Sequence, residues 1–203
     1  MAVVSLKSSF WHHMWLWFVL ALGALLILPW IKPPEYFLVG PSEIQLAASL
    51  GESPVAITQQ SNASFQHWMI DTGAVRVSYM LMGHSIPLII TTPQTWVAGF
   101  WQMVYRAVWR IHAFGWGWFY AMSALAFPSA FDGVMVRLRK KFRFEYHNPV
   151  YFQGSTHLVI LILGASFFFP FAPYTLSALN IALAAVVLAL AVWMAMSNMQ
   201  TGA

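Results

Sequence analysis

Five of the ten Lys and Arg residues of this 203-residue chain lie between residues 137 and 143, where their type and spacing indicate binding chemistry. A cluster of cations attracts anions, so this stretch could bind acidic phospholipids, the acidic face of a protein, or DNA. The same cluster resists transfer across a membrane and can fix topology without any partner. The residues predicted to contact a partner or lipid are Asp132, Arg137, Arg139, Lys140, Lys141, Arg143 and Tyr146.

Recognisable catalytic motifs are absent from the sequence. It contains no H-E-x-x-H, no G-x-S-x-G and no phosphate-binding glycine loop. The seven histidines are scattered, and the adjacent His12 and His13 would point in different directions on a helix. With no cysteine, disulfides, thiolate nucleophiles and iron–sulfur clusters are excluded. We therefore predict a protein that is not an enzyme and that has no cofactor or metal.

Asp132, followed by Gly133, lies where a predicted membrane span meets the basic stretch. An ionisable side chain inside a membrane is a functional candidate. At a membrane boundary the same side chain can reach water or pair with nearby cations, and this position favours that structural role.

The composition indicates the kind of fold that must position these residues. Hydrophobic residues make up 60% of the chain and charged residues only 8%, whereas ordinary soluble domains carry about 25% charged residues. Apolar stretches at residues 14–31, 112–131, 157–172 and 175–196 approach the roughly 20 residues that span a bilayer as a helix. The third is short and could begin near Tyr151. We predict an all-α integral membrane protein with four transmembrane helices.

The first apolar stretch could instead be a cleaved signal peptide. No A-x-A-like site follows it promptly, and its bulky residues continue to its end, so an uncleaved span is favoured.

The predicted organisation has an extramembrane segment between the first and second spans. Within it, EIQLAASL predicts a short helix, AVRVSYMLM is compatible with a strand or a helix, and PLIITTP is too short to span. The predicted divisions are the N-terminus with the first transmembrane helix (1–31), a periplasmic segment (32–111), the second transmembrane helix (112–131), a basic cytoplasmic loop (132–156), and a transmembrane hairpin with a short cytoplasmic tail (157–203).

The periplasmic segment is predicted to end in an interfacial amphipathic helix over residues 93–111. Arg106 and Arg110 share one face of it because they are four residues apart. A plain interfacial helix that continues into the next span is favoured over a binding site. Its aromatic residues suit the lipid headgroup zone, namely Trp96, Trp101, Tyr105 and Trp109.

Small residues recur on one face of two predicted spans. Such faces let membrane helices approach closely, either within one chain or in a homo- or hetero-oligomer. The second span carries Ala113, Gly117, Ala121 and Ala124, and the fourth carries Ala178, Ala182, Ala185 and Ala189.

The basic stretch orients the whole chain. Lys and Arg in short loops stay in the cytoplasm, so residues 132–156 are predicted to be cytoplasmic, as are both termini, in a bacterial inner membrane. Arg106 and Arg110, on the outer flank of the second span, favour the inverted topology. Cations in a long outer loop count little, so we keep the first orientation.

The segment 127–152, FPSAFDGVMVRLRKKFRFEYHNPVYF, resembles the integrating conjugative element membrane proteins, a bacterial inner-membrane family encoded in conjugative transfer regions. The resemblance rests on a span ending in Asp-Gly, a basic stretch and a Tyr-His stretch. The matching residues are Asp132, Gly133, Arg137, Arg139, Tyr146 and His147. It implies an accessory role in conjugation, beside the coupling protein that feeds DNA to a type IV secretion machine.

We therefore expect a non-enzymatic membrane component of a conjugative apparatus that could dock the coupling protein. One alternative is a small transporter or channel subunit, although the spans show no polar stripe. The other is a lipid-modifying membrane enzyme that would use Asp132 or histidines near the membrane surface.

Overall fold

The computed structural model describes residues 7–82, 93–143 and 148–199, and these residues form helices and turns without a strand. Short 3-10 turns at Pro34–Phe37 and Phe169–Phe171 and a π-helical segment at Gln66–Ile70 separate some of the longer helices. The α-helices are α1 (Lys7–Ile31), α2 (Pro41–Ser49), α3 (Pro54–Phe65), α4 (Ala74–Met82), α5 (Pro93–Phe142), α6 (Pro149–Phe167) and α7 (Ala178–Asn198).

Proline and glycine set many of the helix boundaries. A proline at the first helical position loses no hydrogen bond, since that N–H has no partner within the helix. Ser53 caps α3, because its Oγ accepts a hydrogen bond from the Ala56 N–H at 3.4 Å. Gly51, at φ 85°, follows α2 in the left-handed conformation that glycine tolerates best. The helices that begin at proline start at Pro41, Pro54, Pro93 and Pro149.

The segment predicted to be extramembrane contains the one short helix that was predicted there and a second helix that was left open. EIQLAASL lies largely in α2, and AVRVSYMLM, left undecided between helix and strand, forms α4. Residues 87–92 of the stretch PLIITTP lie outside the described residues.

The helix α5 is longer than predicted. Its 50 residues join the predicted interfacial helix to the predicted second span without a break, which the sequence favoured. It then continues through Pro128 to Phe142, whereas the span was predicted to end at residue 131. Arg and Lys are good helix formers, so the ladder of backbone hydrogen bonds need not stop where the apolar residues stop. Much of the stretch predicted as a loop is therefore helix.

Three helices of the described chain are long and apolar enough to cross a membrane, namely Pro93–Phe142, Pro149–Phe167 and Ala178–Asn198. The all-α fold is thus confirmed, with three candidate membrane-spanning helices. The described apolar part of α1, Phe18–Ile31, is shorter. The fourth span and the orientation of the chain remain predictions.

The described residues fall into two compact units. The first, here called the arginine unit, comprises the described residues of Phe18–Trp116 and Phe168–Ser177. Its core includes the buried side chains of Phe37, Val97 and Phe114. At Gly99 a Cβ atom would lie 3.2 Å from the Pro29 Cβ, so α1 and α5 approach each other closely there.

The second unit, here called the hairpin unit, comprises the described residues of Met1–Trp17, Gly117–Phe167 and Ala178–Ala203. The C-terminal half of α5 packs in it with α6 and α7. The buried core includes a cluster of Met122, Ile162, Ala185 and Leu188, and partly buried side chains such as Trp118 and Val159 pack against it.

Candidate functional site

The arginine unit contains three charged side chains that are almost completely buried. Glu43 lies in the first turn of α2, and Arg106 and Arg110 lie one turn apart on α5. Their exposed fractions are 0% for Glu43, 3% for Arg106 and 0% for Arg110. Charged residues are rarely buried this fully unless they are paired, so the three must be explained together.

The Glu43 carboxylate is the centre of this cluster. Its Oε1 atom accepts hydrogen bonds from Arg110 Nη2 at 2.6 Å, from Arg106 Nη2 at 3.0 Å and from the Leu176 backbone N–H at 2.8 Å. Its Oε2 atom accepts one from Arg106 Nε at 3.3 Å. Both oxygens are thus satisfied, as a buried carboxylate requires.

The second set of partners is backbone carbonyl oxygens in the segment between α6 and α7. Arg110 Nη1 donates to the carbonyl oxygens of Pro170 at 3.0 Å and Ala172 at 2.6 Å, and Nη2 donates to that of Tyr174 at 2.6 Å. One guanidinium group therefore fixes three points of the segment Phe168–Ser177, while the same group binds α2 through its carboxylate.

The electrostatic balance of the cluster keeps Glu43 ionised. Burial raises the pKa of the Glu43 carboxyl, but the hydrogen bonds from Arg110 and Arg106, the positive charge of Arg110 and the Leu176 N–H together lower it by more, so that this pKa lies below its ordinary value. Two guanidinium groups face one carboxylate, and the carbonyl dipoles of the α6–α7 segment offset part of the remaining positive charge.

The chemistry of this cluster is that of a clamp. Its carboxylate is fully engaged in hydrogen bonds, and arginine does not give up its proton in proteins.

The same unit contains a polar pair outside the clamp, since the Ser64 Oγ and His112 Nε2 atoms form a hydrogen bond at 3.0 Å. Among the described residues, no group of three or more His, Asp or Glu side chains could hold a metal ion.

An aromatic cleft of about 600 Å³ lies in the same unit. Its rings are held by their polar edges: Trp101 Nε1 donates to Ser78 Oγ at 2.8 Å, and Tyr105 Oη donates to Asn62 Oδ1 at 2.7 Å. With the edges satisfied, ring faces remain to line the cleft. The lining includes Phe37, Ile44, Phe65, Trp101, Tyr105 and Trp109.

Two of the four aromatic residues of α5 that were predicted to suit the headgroup zone, Trp96 and Trp109, are buried in the arginine unit. Trp109 donates a hydrogen bond to Thr58 of α3, and Trp96 donates one to the Leu26 carbonyl oxygen of α1. Neighbouring helices therefore cover these two rings, whereas Trp101 and Tyr105 are partly exposed. The placement of those two at a headgroup zone stays a prediction.

Asp132 and Gly133 join α5 to α7 in the hairpin unit. The Asp132 Oδ2 atom accepts a hydrogen bond from Trp193 Nε1 at 2.7 Å. A Cβ atom on Gly133 would lie 2.8 Å from both the Met196 Cβ and the Trp193 carbonyl oxygen, so no larger residue fits without a shift. The partner of Asp132 in the structure is therefore an indole on α7, and the structural role that the sequence favoured for Asp132 stays a prediction.

The predicted cations lie at the end of α5, except Arg143, which directly follows it. Lys140 donates to Asn198 Oδ1 at 3.3 Å, whereas Arg139, Lys141 and Arg143 are exposed and Arg137 is partly exposed. Tyr146 and His147 lie outside the described residues.

Only part of each predicted small-residue stripe packs inside the chain. On α7, Ala185 and Ala189 are buried and Ala178 and Ala182 are exposed. On α5, Gly117 is exposed, and Ala121 is partly buried beside the core residue Met122. Contact between the exposed members and another helix remains a prediction.

The sequence did not predict the clamp. Glu43 was not singled out, and Arg106 and Arg110 were interpreted as part of a plain interfacial helix. The available signal was two arginines on one face of an otherwise uncharged stretch, in a chain with very few acidic residues. Such cations need a buried partner if their helix face is covered.

Comparison with known proteins identifies the family. A family model described as "IncC plasmid conjugative DNA transfer protein DtrJ-like" matches residues 39–200. No curated protein and no solved structure matches the chain. The resemblance to conjugative-transfer proteins is confirmed at that level, whereas the match does not support the integrating conjugative element membrane proteins as the specific family. Because the match covers the clamp, α5 and both helices of the hairpin, the chain belongs to the DtrJ-like family of conjugative DNA transfer proteins.

Proposed function

We propose that this protein is a non-enzymatic inner-membrane component of a conjugative DNA-transfer apparatus of the type IV secretion kind. The observation that carries the proposal is the family match over residues 39–200, which includes most of the chain. The clamp stabilises the protein itself, since its buried groups bind elements of the chain to one another.

The proposed membrane placement has four spans, with α1 as the first and both termini in the cytoplasm. Exposed apolar side chains along α6 and α7, such as Leu163 and Leu190, support contact with lipid. In this orientation the extramembrane segment and the turn between α6 and α7 lie on the same side of the membrane. The hydrogen bonds from Arg106 and Arg110 to that turn support this arrangement.

The proposed partner is the membrane part of the coupling protein, or another subunit of the secretion machine. The helix surfaces that could contact such a partner carry small, exposed residues, which are Ala178 and Ala182 at the start of α7 and Gly117 on α5. Such faces allow a partner's helix to approach closely within a bilayer.

Affinity purification from detergent-solubilised donor cells tests the partner. The tagged protein should bring down the coupling protein or another transfer subunit, and bulky substitutions such as Ala182→Phe should weaken the association. The control is Leu190→Phe, because Leu190 is an exposed side chain on the same helix. Ala185→Phe would not serve as a control, since Ala185 is buried. Recovery of no transfer subunit under any solubilisation condition would rule out this partner.

A further inference from the structure

The exposed face of α5 carries a continuous apolar stripe through the hairpin unit. Its members recur at intervals of four and three residues, which keeps them on one side of a helix. The stripe consists of Tyr120, Ala124, Phe127, Phe131, Met135, Leu138 and Phe142. Phe131 is 71% exposed and Phe142 is 83% exposed, so the residues that the structure describes cover little of this surface.

The length of the stripe matches a bilayer. From Tyr120 to Phe142 the helix rises about 33 Å at 1.5 Å per residue, and the hydrocarbon core of a bilayer is about 30 Å thick. The apolar surface thus continues beyond the predicted end of the span at residue 131 and reaches the basic cluster.

The cations flank this stripe at its end. Viewed down the axis of α5, where successive residues are about 100° apart, Arg139 and Lys141 lie about 80° to either side of the stripe's centre. Arg137 and Arg143 would lie at larger angles from that centre on the same two sides. Gly133 and Lys140 lie on the opposite side, where Gly133 contacts α7 and Lys140 binds Asn198. The cluster is therefore divided into one cation that packs on α7 and four that border an exposed apolar face.

An apolar face bordered by cations fits the surface of an acidic membrane. Phe142 and Leu138 can enter the acyl region while the long Arg and Lys side chains extend to the phosphate groups. The only acidic residue in 131–143 is Asp132, which accepts a hydrogen bond from Trp193. The apolar stripe is also continuous with the span itself, which favours lipid over the acidic groove of a soluble protein.

We propose that the end of α5 is an acidic-phospholipid site, in which Arg137, Arg139, Lys141 and Arg143 bind lipid phosphate groups beside Leu138 and Phe142. This inference rests on the membrane placement in the proposed function. Each engaged cation enriches acidic lipid about fivefold at this surface, given the usual attraction of a cation to an anionic leaflet.

The absence of cysteine allows a direct test. The variant Phe142→Cys carries an environment-sensitive fluorophore, and Leu190→Cys, on the exposed face of α7, carries the same label as a control for insertion. Both are reconstituted in vesicles of equal phosphatidylglycerol and phosphatidylcholine, in which only one of the two lipids is brominated. The label at position 142 should be quenched more by brominated phosphatidylglycerol, and the label at position 190 equally by both.

Charge variants test which cations matter. The pair Arg139→Gln and Lys141→Gln should remove most of the preference for phosphatidylglycerol at position 142. Lys140→Gln, in the same turn but bonded to α7, should retain most of it.

The alternative outcomes separate the two proposals. Equal quenching by both lipids at position 142 would refute the acidic-lipid site while leaving the membrane placement intact. Lipid quenching at position 190 with none at position 142 would also refute it, because the end of α5 would then lie in water or against protein. No lipid quenching at either position would overturn the membrane placement itself.

Discussion

Glu43 joins two buried arginines and the α6–α7 turn through a single carboxylate. Replacement of Glu43 by Gln keeps the shape of the side chain and removes its charge. Two buried guanidinium groups then lack a counter-ion, which should lower the free energy of unfolding by about 3–5 kcal/mol.

Unfolding of the detergent-solubilised protein by denaturant measures this loss. Glu52→Gln is the matched control, since Glu52 is exposed just after α2 and its replacement should change stability by less than about 0.5 kcal/mol. Equal stability of the two variants would show that the clamp does not support the fold.

The lowered pKa of Glu43 predicts how stability depends on pH. In the unfolded chain the carboxyl takes up a proton near its ordinary pKa of about 4.3, whereas in the folded protein it does so at a lower pH. The stabilisation is therefore present above that ordinary pKa and is lost as the pH falls through the folded pKa.

Melting temperatures at pH 7 and near pH 3 should show a loss in the parent protein that is smaller in Glu43→Gln. A loss of the same size in both proteins would assign the acid sensitivity to other groups.

At the scale of elements, the contact between α5 and α7 depends on Gly133. The variant Gly133→Ala should cost about 1–3 kcal/mol, because the added methyl group meets the Trp193 carbonyl oxygen and Met196. Gly117→Ala is the control on the same helix, since no atom lies within 4 Å of its added Cβ. That change should be neutral or stabilise the helix by up to about 1 kcal/mol.

Thermal unfolding followed by circular dichroism would compare the stability of both variants, and their near-ultraviolet spectra would show any change in aromatic packing. Gly133→Ala with the stability and spectrum of the parent protein would contradict the close approach of the two helices.

Several elements could be predicted from the sequence because local rules determine them. Apolar length located α6 and α7, and EIQLAASL located α2, whose start is fixed by Gly40 and Pro41. The end of α5 could not be located this way, since hydropathy falls at Asp132 while helix propensity remains high through Lys140 and Lys141.

The clamp could not be predicted because it depends on pairing between distant segments. Glu43 and Arg106 are 63 residues apart, and the Leu176 N–H that binds Glu43 lies 133 residues from it. Periodicity within one helix shows which residues share a face, as it did for Arg106 and Arg110. It does not show which other element covers that face.

At the scale of the whole molecule, the proposed orientation makes a direct prediction about accessibility. In the cysteine-free chain, Gln60→Cys on α3 should react with a membrane-impermeant thiol reagent in cells with a permeabilised outer membrane. Lys141→Cys should react only after lysis, because cations near a span remain in the cytoplasm. The reverse pattern of labelling would invert the proposed topology.

The central claim, that this DtrJ-like chain serves conjugative DNA transfer, is tested most directly by the frequency of transfer between donor and recipient cells. An in-frame deletion of its gene in the conjugative element should reduce that frequency, and the parent protein supplied in trans should restore it. Glu43→Gln should restore it less fully than Glu52→Gln when both are produced at equal levels. A deletion strain that transfers DNA as often as its parent would contradict the account.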